Sequence, residues 1–254
     1  MRNVLTIARR DFRAYFTSPI AYIVIAGFML IMGWMFFNNL YHFFQQNMQY
    51  QAFNMGKGAS ITDGIVRPLY GNMNVIFLML IPFVTMRLFA EEKKLHTIEL
   101  LMTSPVTLTE IILGKFLSAF TFVLVMMLLT AVYPIALFVT GDPDAGPIIT
   151  SALGTLLLVS CVLAVGIFFS ALTENQIVAG VLTFAAVLFF WLVSWATQMA
   201  GPVWSDILNY ISLISHYNNF GQGLLTSNDV FYYLSFIGVF LFLTHRVLDS
   251  YRWR

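Results

Sequence analysis

The stretch AEEKKLHTIELLMTSPVTLTEIILGK, residues 90–115, interrupts the most apolar part of the chain. Five of the 25 Asp, Glu, Lys and Arg residues in the whole sequence fall between Glu91 and Glu99. Apolar runs long enough to cross a bilayer stand on both sides of it. The stretch therefore predicts a connection outside the membrane between two spanning helices.

The overall composition places the chain among integral membrane proteins. Of its 254 residues, 59% are hydrophobic and 10% are charged, whereas a soluble domain carries about 25% charged residues. The mean hydropathy is +0.80. The net charge of +1 comes without a basic patch, so we expect no nucleic-acid partner. We predict an all-α, polytopic membrane fold.

Six apolar runs predict six transmembrane helices, since about 20 apolar residues cross a hydrocarbon core about 30 Å thick. Pro82 predicts a kink in the second span. Residues 38–73 are rich in Asn and Gln and predict a polar loop. The predicted spans are residues 20–37, 74–90, 116–140, 148–172, 177–197 and 230–248.

Residues 1–18 precede the first span and predict an amphipathic helix that ends at Ser18-Pro19. Apolar and basic residues alternate there at helical spacing, which is typical of a helix that lies in the headgroup interface. A basic tail that only sets topology is the alternative. The residues expected at the membrane interface are Arg9, Arg10, Arg13, Phe12 and Tyr15.

The distribution of basic residues predicts the orientation of the chain. With six spans, both termini lie on the same side as residues 91–115, and this side holds eleven of the Lys and Arg residues. The other side holds only Lys57 and Arg67. Because positively charged loops stay in the cytoplasm, we expect both termini to be cytoplasmic.

The sequence contains no motif for energy conversion or catalysis. Gly114-Lys115 is followed by Phe116 and lacks the earlier glycine of a Walker A sequence. No charged residue occupies the centre of a predicted span, which disfavours a secondary transporter. Cys161 is the only cysteine, and no metal-binding spacing occurs. We expect no catalytic, cofactor or metal site in this chain, and an energy source outside it.

Residues 91–115 predict a shaped connection, which we call the elbow. The spacing of residues 91–102 predicts a helix that continues the second span, and Ser104-Pro105 stops it. Thr107 and Glu110 have the spacing of a capping box that opens the next helix. Acidic residues beside an apolar ridge (residues 100–102) suit docking into a groove of a soluble partner. A solvated hairpin whose charges only set topology is the alternative.

Residues 198–229 form a long connection that is not polar. Ile207, Leu208, Ile211 and Ile214 have helical spacing. Irregular backbone exposed to lipid is excluded at membrane depth. Such a segment, on the side opposite the elbow, could lie on the membrane surface or dip into the membrane as a re-entrant segment that packs on protein.

The order of these motifs resembles that of ABC-2 type transporter permeases. The elbow contains Glu91-Glu92-Lys93-Lys94, Thr97-Ile98-Glu99, Ser104-Pro105-Val106, Glu110 and Gly114-Lys115 in the family's order. The resemblance extends to RRDFRAYFTSPIAYIV, TENQIVAG and SHYNNFGQGLLTSNDVFYYLS, and so covers nearly the whole chain. It is most similar to the gliding-motility and multi-copper-enzyme-maturation permeases. His96 departs from the family, which commonly has glycine there.

The resemblance implies one transmembrane domain, residues 1–254, with the ABC-2 (type V exporter-like) fold, in a bacterial inner membrane. Residues 1–18 would be its amphipathic connecting helix, residues 91–115 its cytoplasmic coupling-helix elbow and residues 198–229 its external re-entrant segment. A separate cytoplasmic ABC ATPase would bind ATP and Mg²⁺ and grip the elbow. A second permease chain, identical or paralogous, and an extracytoplasmic accessory protein are further expected partners. The expected ATPase-docking residues are Glu91, Glu92, Lys93, Lys94, Thr97, Glu99, Leu100, Leu101, Thr103 and Pro105.

The function implied is that of a permease subunit without enzymatic activity, which couples ATP hydrolysis to export or to conformational work. The alternative is a membrane anchor or assembly factor that recruits an ATPase and moves no substrate. Both share the elbow, and no span carries a polar constellation that selects a substrate.

Overall fold

The computed structural model describes residues 2–52, 60–103, 105–141, 143–196 and 201–251. Lys57, Ser104, Arg252, Arg254 and residues 198–200 of the predicted re-entrant segment lie outside the described residues. The described part contains no strand. It consists of α1 (Arg2–Thr17), α2 (Pro19–Ala52), a π-helical turn (Thr62–Val66), α3 (Arg67–Thr85), α4 (Ala90–Lys94), α5 (Ile98–Thr103), α6 (Leu108–Thr130), α7 (Val132–Thr140), α8 (Ala145–Leu172), α9 (Gln176–Ala196), α10 (Pro202–Ile211), α11 (Leu213–Gly221) and α12 (Ser227–Tyr251).

Six helical stretches among these residues are long and apolar enough to cross a membrane, which confirms the six predicted spans. The second includes the π-helical turn, α3 and α4, and the third joins α6 to α7. The remaining four lie in α2, α8, α9 and α12. The stretches are Ala21–Tyr50, Thr62–Lys94, Leu108–Val139, Ala145–Leu172, Gln176–Ala196 and Ser227–Tyr251.

The predicted polar loop at residues 38–73 is wrong. Helix α2 continues past Asn38 to Ala52, and helical structure resumes at Thr62. Asn and Gln raise polarity but do not stop a helix, and neither glycine nor proline occurs between Trp34 and Ala52. Polarity therefore marks where the helix leaves the bilayer, not where it ends.

Breaks in the helices occur close to the predicted prolines. Helix α1 ends at Thr17 and α2 begins at Pro19, because proline lacks an N–H and fits the first turn of a helix. Helix α3 ends one turn after Pro82. The hydroxyl of Ser170 in α8 then accepts hydrogen bonds from the backbone N–H groups of Phe89 (3.0 Å) and Ala90 (3.1 Å). This contact satisfies donors that the interrupted helix leaves free.

Helix α8 is the centre of the bundle and packs against α3, α9, α11 and α12. Two of its glycines permit close approach. A Cβ on Gly166 would lie 2.2 Å from Thr85 Oγ1 of α3, and one on Gly154 would lie 2.6 Å from Phe220 Cβ of α11. Gly27, by contrast, has no neighbour within 4 Å of that position, so it does not serve as a helix contact within this chain.

The bundle has two distinct ends. At the elbow end, α1, the elbow and the C-terminal parts of α8 and α12 come together. At the distal end, α10 and α11 (the distal pair) cover α8 and α9. Backbone oxygens of α11 accept hydrogen bonds from Thr150 and Tyr233, so side chains of α8 and α12 hold this helix in place.

Gly166→Ala tests the packing of α8 against α3. The added methyl meets Thr85, whose hydroxyl is bonded to the Ile81 carbonyl (3.0 Å) and is not free to rotate away. We expect the free energy of unfolding to fall by about 1–3 kcal/mol, the usual cost of overpacking. Gly238→Ala is the matched control, because that helical position is open and alanine favours helix. Thermal unfolding in detergent measures the stability of both variants. If Gly166→Ala is as stable as Gly238→Ala, the close approach of α8 to α3 is contradicted.

Candidate functional site

The elbow consists of two short helices instead of the single helix predicted for residues 91–102. Helix α4 ends at Lys94 and α5 begins at Ile98. Between them His96 has a φ of 55°, the left-handed conformation, which costs a residue with a Cβ about 1–2 kcal/mol. Glycine adopts this conformation freely. His96 therefore carries a backbone cost that a glycine at this position would avoid.

The predicted capping box opens α6. The Thr107 hydroxyl accepts from the Glu110 backbone N–H (3.3 Å), and the Glu110 carboxylate accepts from the Thr107 backbone N–H (3.1 Å). Asn3 of α1 donates to the same carboxylate at 3.2 Å. The start of α6 is thus tied to the start of α1.

Four ionised side chains link three elements of the elbow end, and we call them the charge cluster: Arg10, Asp11, Glu92 and Lys115. The Lys115 ammonium lies 2.7 Å from a Glu92 oxygen and 3.4 Å from an Asp11 oxygen, and only 3% of its side chain is exposed. Arg10 lies 2.8 Å from Asp11 and 3.4 Å from Glu92. Two positive and two negative charges balance, which a buried ammonium requires.

Lys93 and Glu92 face the protein, although both were expected to bind a partner. Lys93 is 4% exposed, its ammonium donates to the Ala171 carbonyl of α8 and it lies 4.5 Å from the centre of the Tyr251 ring. Helix α4 lies on the end of α8, so its middle residues point inward. Charge in a sequence indicates proximity to water but not direction, so the sequence could not show that these two side chains point inward.

Most of the remaining predicted docking residues lie on the exposed surface of the elbow. Leu95, which sequence reasoning missed, is 62% exposed, and Leu100 is 73% exposed. An apolar residue inside a charged run was the available signal for Leu95. Glu91 and Leu101 are half-buried, and the side chain of Met102 is outside the described part. Lys94, Thr97, Glu99, Thr103 and Pro105 are exposed.

Helix α1 turns its aromatic face, for which the sequence predicts a membrane interface, toward α6. Tyr15 stacks on Phe122 with ring centres 5.0 Å apart, and its hydroxyl donates to the Val84 carbonyl (3.4 Å). Burial raises the pKa of Tyr15. Phe12 is half-buried beside Phe16. Helical spacing identifies an apolar face but cannot distinguish a lipid from a protein neighbour.

The basic face of α1 is exposed, as expected for residues that meet headgroups. Arg9, Arg10 and Arg13 are all exposed, and Arg10 also reaches the charge cluster. Sequence reasoning missed Asp11, a single carboxylate within a basic helix. Its isolation among basic residues was the available signal in the sequence. In the structure Asp11 is one of the two anions beside Lys115.

A second polar cluster lies at the distal end. The Asp229 carboxylate accepts from Asn219 (2.8 Å) and from Thr226, and it lies 2.6 Å from His216 Nδ1. The His216 ring stacks on Tyr232 with centres 4.0 Å apart. Asp229 is 4% exposed. One buried carboxylate thus joins α11 to the start of α12.

Lys115→Met tests the charge cluster. It removes the cation closest to Glu92 and leaves the two largely buried carboxylates with Arg10 alone, so we expect the free energy of unfolding to fall by about 3 kcal/mol. Lys94→Met makes the same chemical change at an exposed position of the elbow and should alter stability by about 0.5 kcal/mol or less. Thermal unfolding in detergent measures both. Equal melting temperatures for the two variants would show that the cluster contributes nothing.

A double-mutant cycle tests the distal cluster. His216→Ala, Asp229→Ala and the double variant should give a coupling free energy of about 1–3 kcal/mol, because the pair is buried. The exposed pair Asp63 and Arg67, 2.8 Å apart, serves as control with an expected coupling of about 0.5 kcal/mol. Equal coupling in both cycles would contradict a stabilising role for the buried pair.

Among the described residues, no group of three or more His, Cys, Asp or Glu side chains is placed to hold a metal ion. The search of curated proteins gives no match to this chain. The family model described as "ABC-2 family transporter protein" matches residues 5–247, nearly the whole sequence. The match spans α1, the elbow, the distal pair and all six candidate spans. The chain therefore belongs to the ABC-2 family of transporter proteins.

Proposed function

We propose that this chain is the permease subunit of an ATP-binding cassette transporter and that a separate cytoplasmic ATPase drives it through the elbow. The observation that carries the proposal is the two-sided character of the elbow. Its inner side is anchored by Glu92 and Lys93, whereas its outer side presents Leu95, Glu99 and Leu100. An exposed apolar surface with acidic neighbours suits the groove of a soluble partner.

The anchored side gives a route from the elbow to the spans. Glu92 contacts Lys115 in α6, and Lys93 contacts the end of α8. A displacement of α4 therefore acts on two spans directly. The interruption between α3 and α4, after Pro82, lets α4 move without bending a continuous helix.

The same contacts include α1. Arg10 and Asp11 belong to the charge cluster, and Asn3 holds the capping carboxylate of α6. With its basic side exposed, α1 would rest on anionic headgroups of the cytoplasmic leaflet. It would then move together with the elbow when the ATPase closes.

The working transporter would contain two permease chains and two ATPase subunits in a bacterial inner membrane. Six spans are half of such a transporter. The eleven-to-two distribution of basic residues favours a cytoplasmic elbow and cytoplasmic termini. ATP and Mg²⁺ would bind the ATPase, and this chain would carry out export or conformational work without catalysis of its own. An extracytoplasmic accessory protein would meet the distal pair.

The combined change Glu99→Lys and Leu100→Asp tests docking. It reverses one exposed charge and removes the most exposed apolar side chain of the elbow while leaving the charge cluster intact. We expect binding of the cognate ATPase to weaken by at least about tenfold, since interface centres concentrate binding energy. Co-purification from membranes and ATP hydrolysis by the reconstituted complex measure the effect.

Asp206→Lys is the control, because it reverses an exposed acidic charge on the distal pair. It should leave ATPase binding unchanged. Undiminished co-purification of the elbow variant contradicts docking at this surface. ATPase binding together with hydrolysis that no candidate substrate or accessory protein stimulates favours the anchor over the transporter.

A further inference from the structure

Helix α2 carries a continuous apolar stripe on its exposed face. The stripe has six large apolar side chains, which follow one another at intervals of four, three, four, three and four residues. Residues 30, 37 and 44 recur every seven residues, as do residues 34, 41 and 48, and this heptad repeat is that of a coiled-coil seam. The stripe consists of Leu30 (75% exposed), Trp34 (72%), Phe37 (64%), Tyr41 (55%), Phe44 (55%) and Met48 (65%).

The bilayer accounts for only the first part of this stripe. Helix α2 has 34 residues and is about 51 Å long at 1.5 Å per residue. A hydrocarbon core about 30 Å thick, crossed at the average tilt of about 20°, takes up roughly 32 Å, or about 21 residues. The last turns of α2 therefore project beyond the membrane at the distal end. Tyr41, Phe44 and Met48 continue the stripe into this projection.

The projecting part is amphipathic in its own right. Its exposed polar residues, Asn38, His42, Gln45, Gln46 and Gln49, lie beside the stripe and not within it. The side toward the bundle is occupied: Phe43 lies against Gly64 of the π-helical turn. Three large apolar side chains on one line in water need a cover, because exposed apolar surface at a distance from lipid is unfavourable.

The exposed face of α9 does not pose the same problem. Helix α9 has 21 residues and is about 32 Å long, which matches the bilayer core. Lipid suffices to cover its exposed side chains. The distinguishing feature of α2 is that its stripe keeps the same period and direction after the helix has left the membrane.

We propose that the α2 stripe is a seam between two copies of this chain, in which the two α2 helices run parallel and pack along residues 30–48. This inference rests on the proposed function in one respect: two permease chains form one transporter. A heptad stripe is self-complementary, so a two-fold axis along the membrane normal pairs each member with its own copy. No charged side chain occurs anywhere in α2, so charge sets no preference for a different partner.

Two kinds of packing hold the seam. Inside the membrane, close contact between side chains drives association, and the open surface at Gly27 allows the two helices to approach one turn before Leu30. Outside the membrane, burial of Tyr41, Phe44 and Met48 adds the hydrophobic effect. The seam joins the copies beside the distal end and leaves both elbows free for ATPase subunits.

Disulfide cross-linking of single-cysteine variants tests the seam. The background is Cys161→Ser, which removes the single, buried native thiol. Phe44→Cys and Met48→Cys place a thiol on the seam in the projecting part, where oxidants reach it. Gln46→Cys is the matched control, because it is exposed and lies about 160° around the helix from Phe44 at 100° per residue.

The full-length variants are oxidised in native membranes and separated on non-reducing gels. We expect same-residue dimers at Phe44→Cys and Met48→Cys to exceed those at Gln46→Cys by about tenfold, since a disulfide needs Cα atoms within about 7 Å. Equal cross-linking at all three positions would show that the dimers form by random collision of chains, which overturns the seam. Absence of cross-linking at both seam positions, which a paralogue or an accessory protein on the stripe would cause, also overturns it.

Co-purification of the ATPase from the same membranes separates this inference from the proposed function. If the ATPase binds a chain that does not cross-link at the seam, the proposed function is supported and the proposed seam is contradicted. Seam dimers without bound ATPase support the seam and contradict the function. Tyr41→Cys provides a third seam position if the variant at Phe44 or Met48 fails to insert.

Discussion

The neutralisation of one nearly buried ammonium organises the elbow end of this protein. Lys115 lies where α6 enters the apolar bundle, with 3% of its side chain exposed, and an ammonium in such a place needs anions in direct contact. Asp11 supplies one from α1, and Glu92 supplies the other from α4. The positions of the first helix and of the elbow relative to the spans follow from this requirement. Arg10 completes the electrical balance from the surface.

The bilayer imposes the second constraint, which is that every backbone group must find a partner inside the protein. Where the spans are interrupted, side chains from neighbouring helices supply these partners. The Ser170 hydroxyl accepts hydrogen bonds from the N–H groups of Phe89 and Ala90, and the Tyr233 hydroxyl donates to the Leu213 carbonyl of the distal pair. Helix α8 supplies such partners at both ends, through Ser170 near its C-terminus and Thr150 near its N-terminus. This is consistent with its burial along most of its length. The helix breaks are therefore fixed structural features that allow segments to be oriented independently.

Sequence periodicity predicted the helices well, but it could not identify what covers each apolar face. In α1 the face containing Tyr15 is covered by Phe122 of α6 and not by lipid. In α4 the charges of Glu92 and Lys93 point inward, although charge alone favoured a solvated surface. Transfer to lipid, to a protein interior or to a partner's surface lowers the free energy of an apolar side chain in similar ways. Only the arrangement of neighbouring helices tells these environments apart.

The sequence by itself determined the membrane class, the six spans, the capping box of Thr107 and Glu110, and the family, because each depends on local composition or on short-range spacing. It also placed helix interruptions near Pro19 and Pro82, where a missing N–H acts locally. The tertiary structure alone decided that His96 adopts a left-handed backbone, that Glu92 and Lys93 point inward, and that Asp11 reaches Lys115. These features depend on contacts between residues far apart in the chain, as from Asp11 to Lys115. Their free energies come from burial and charge neutralisation, which local sequence does not encode.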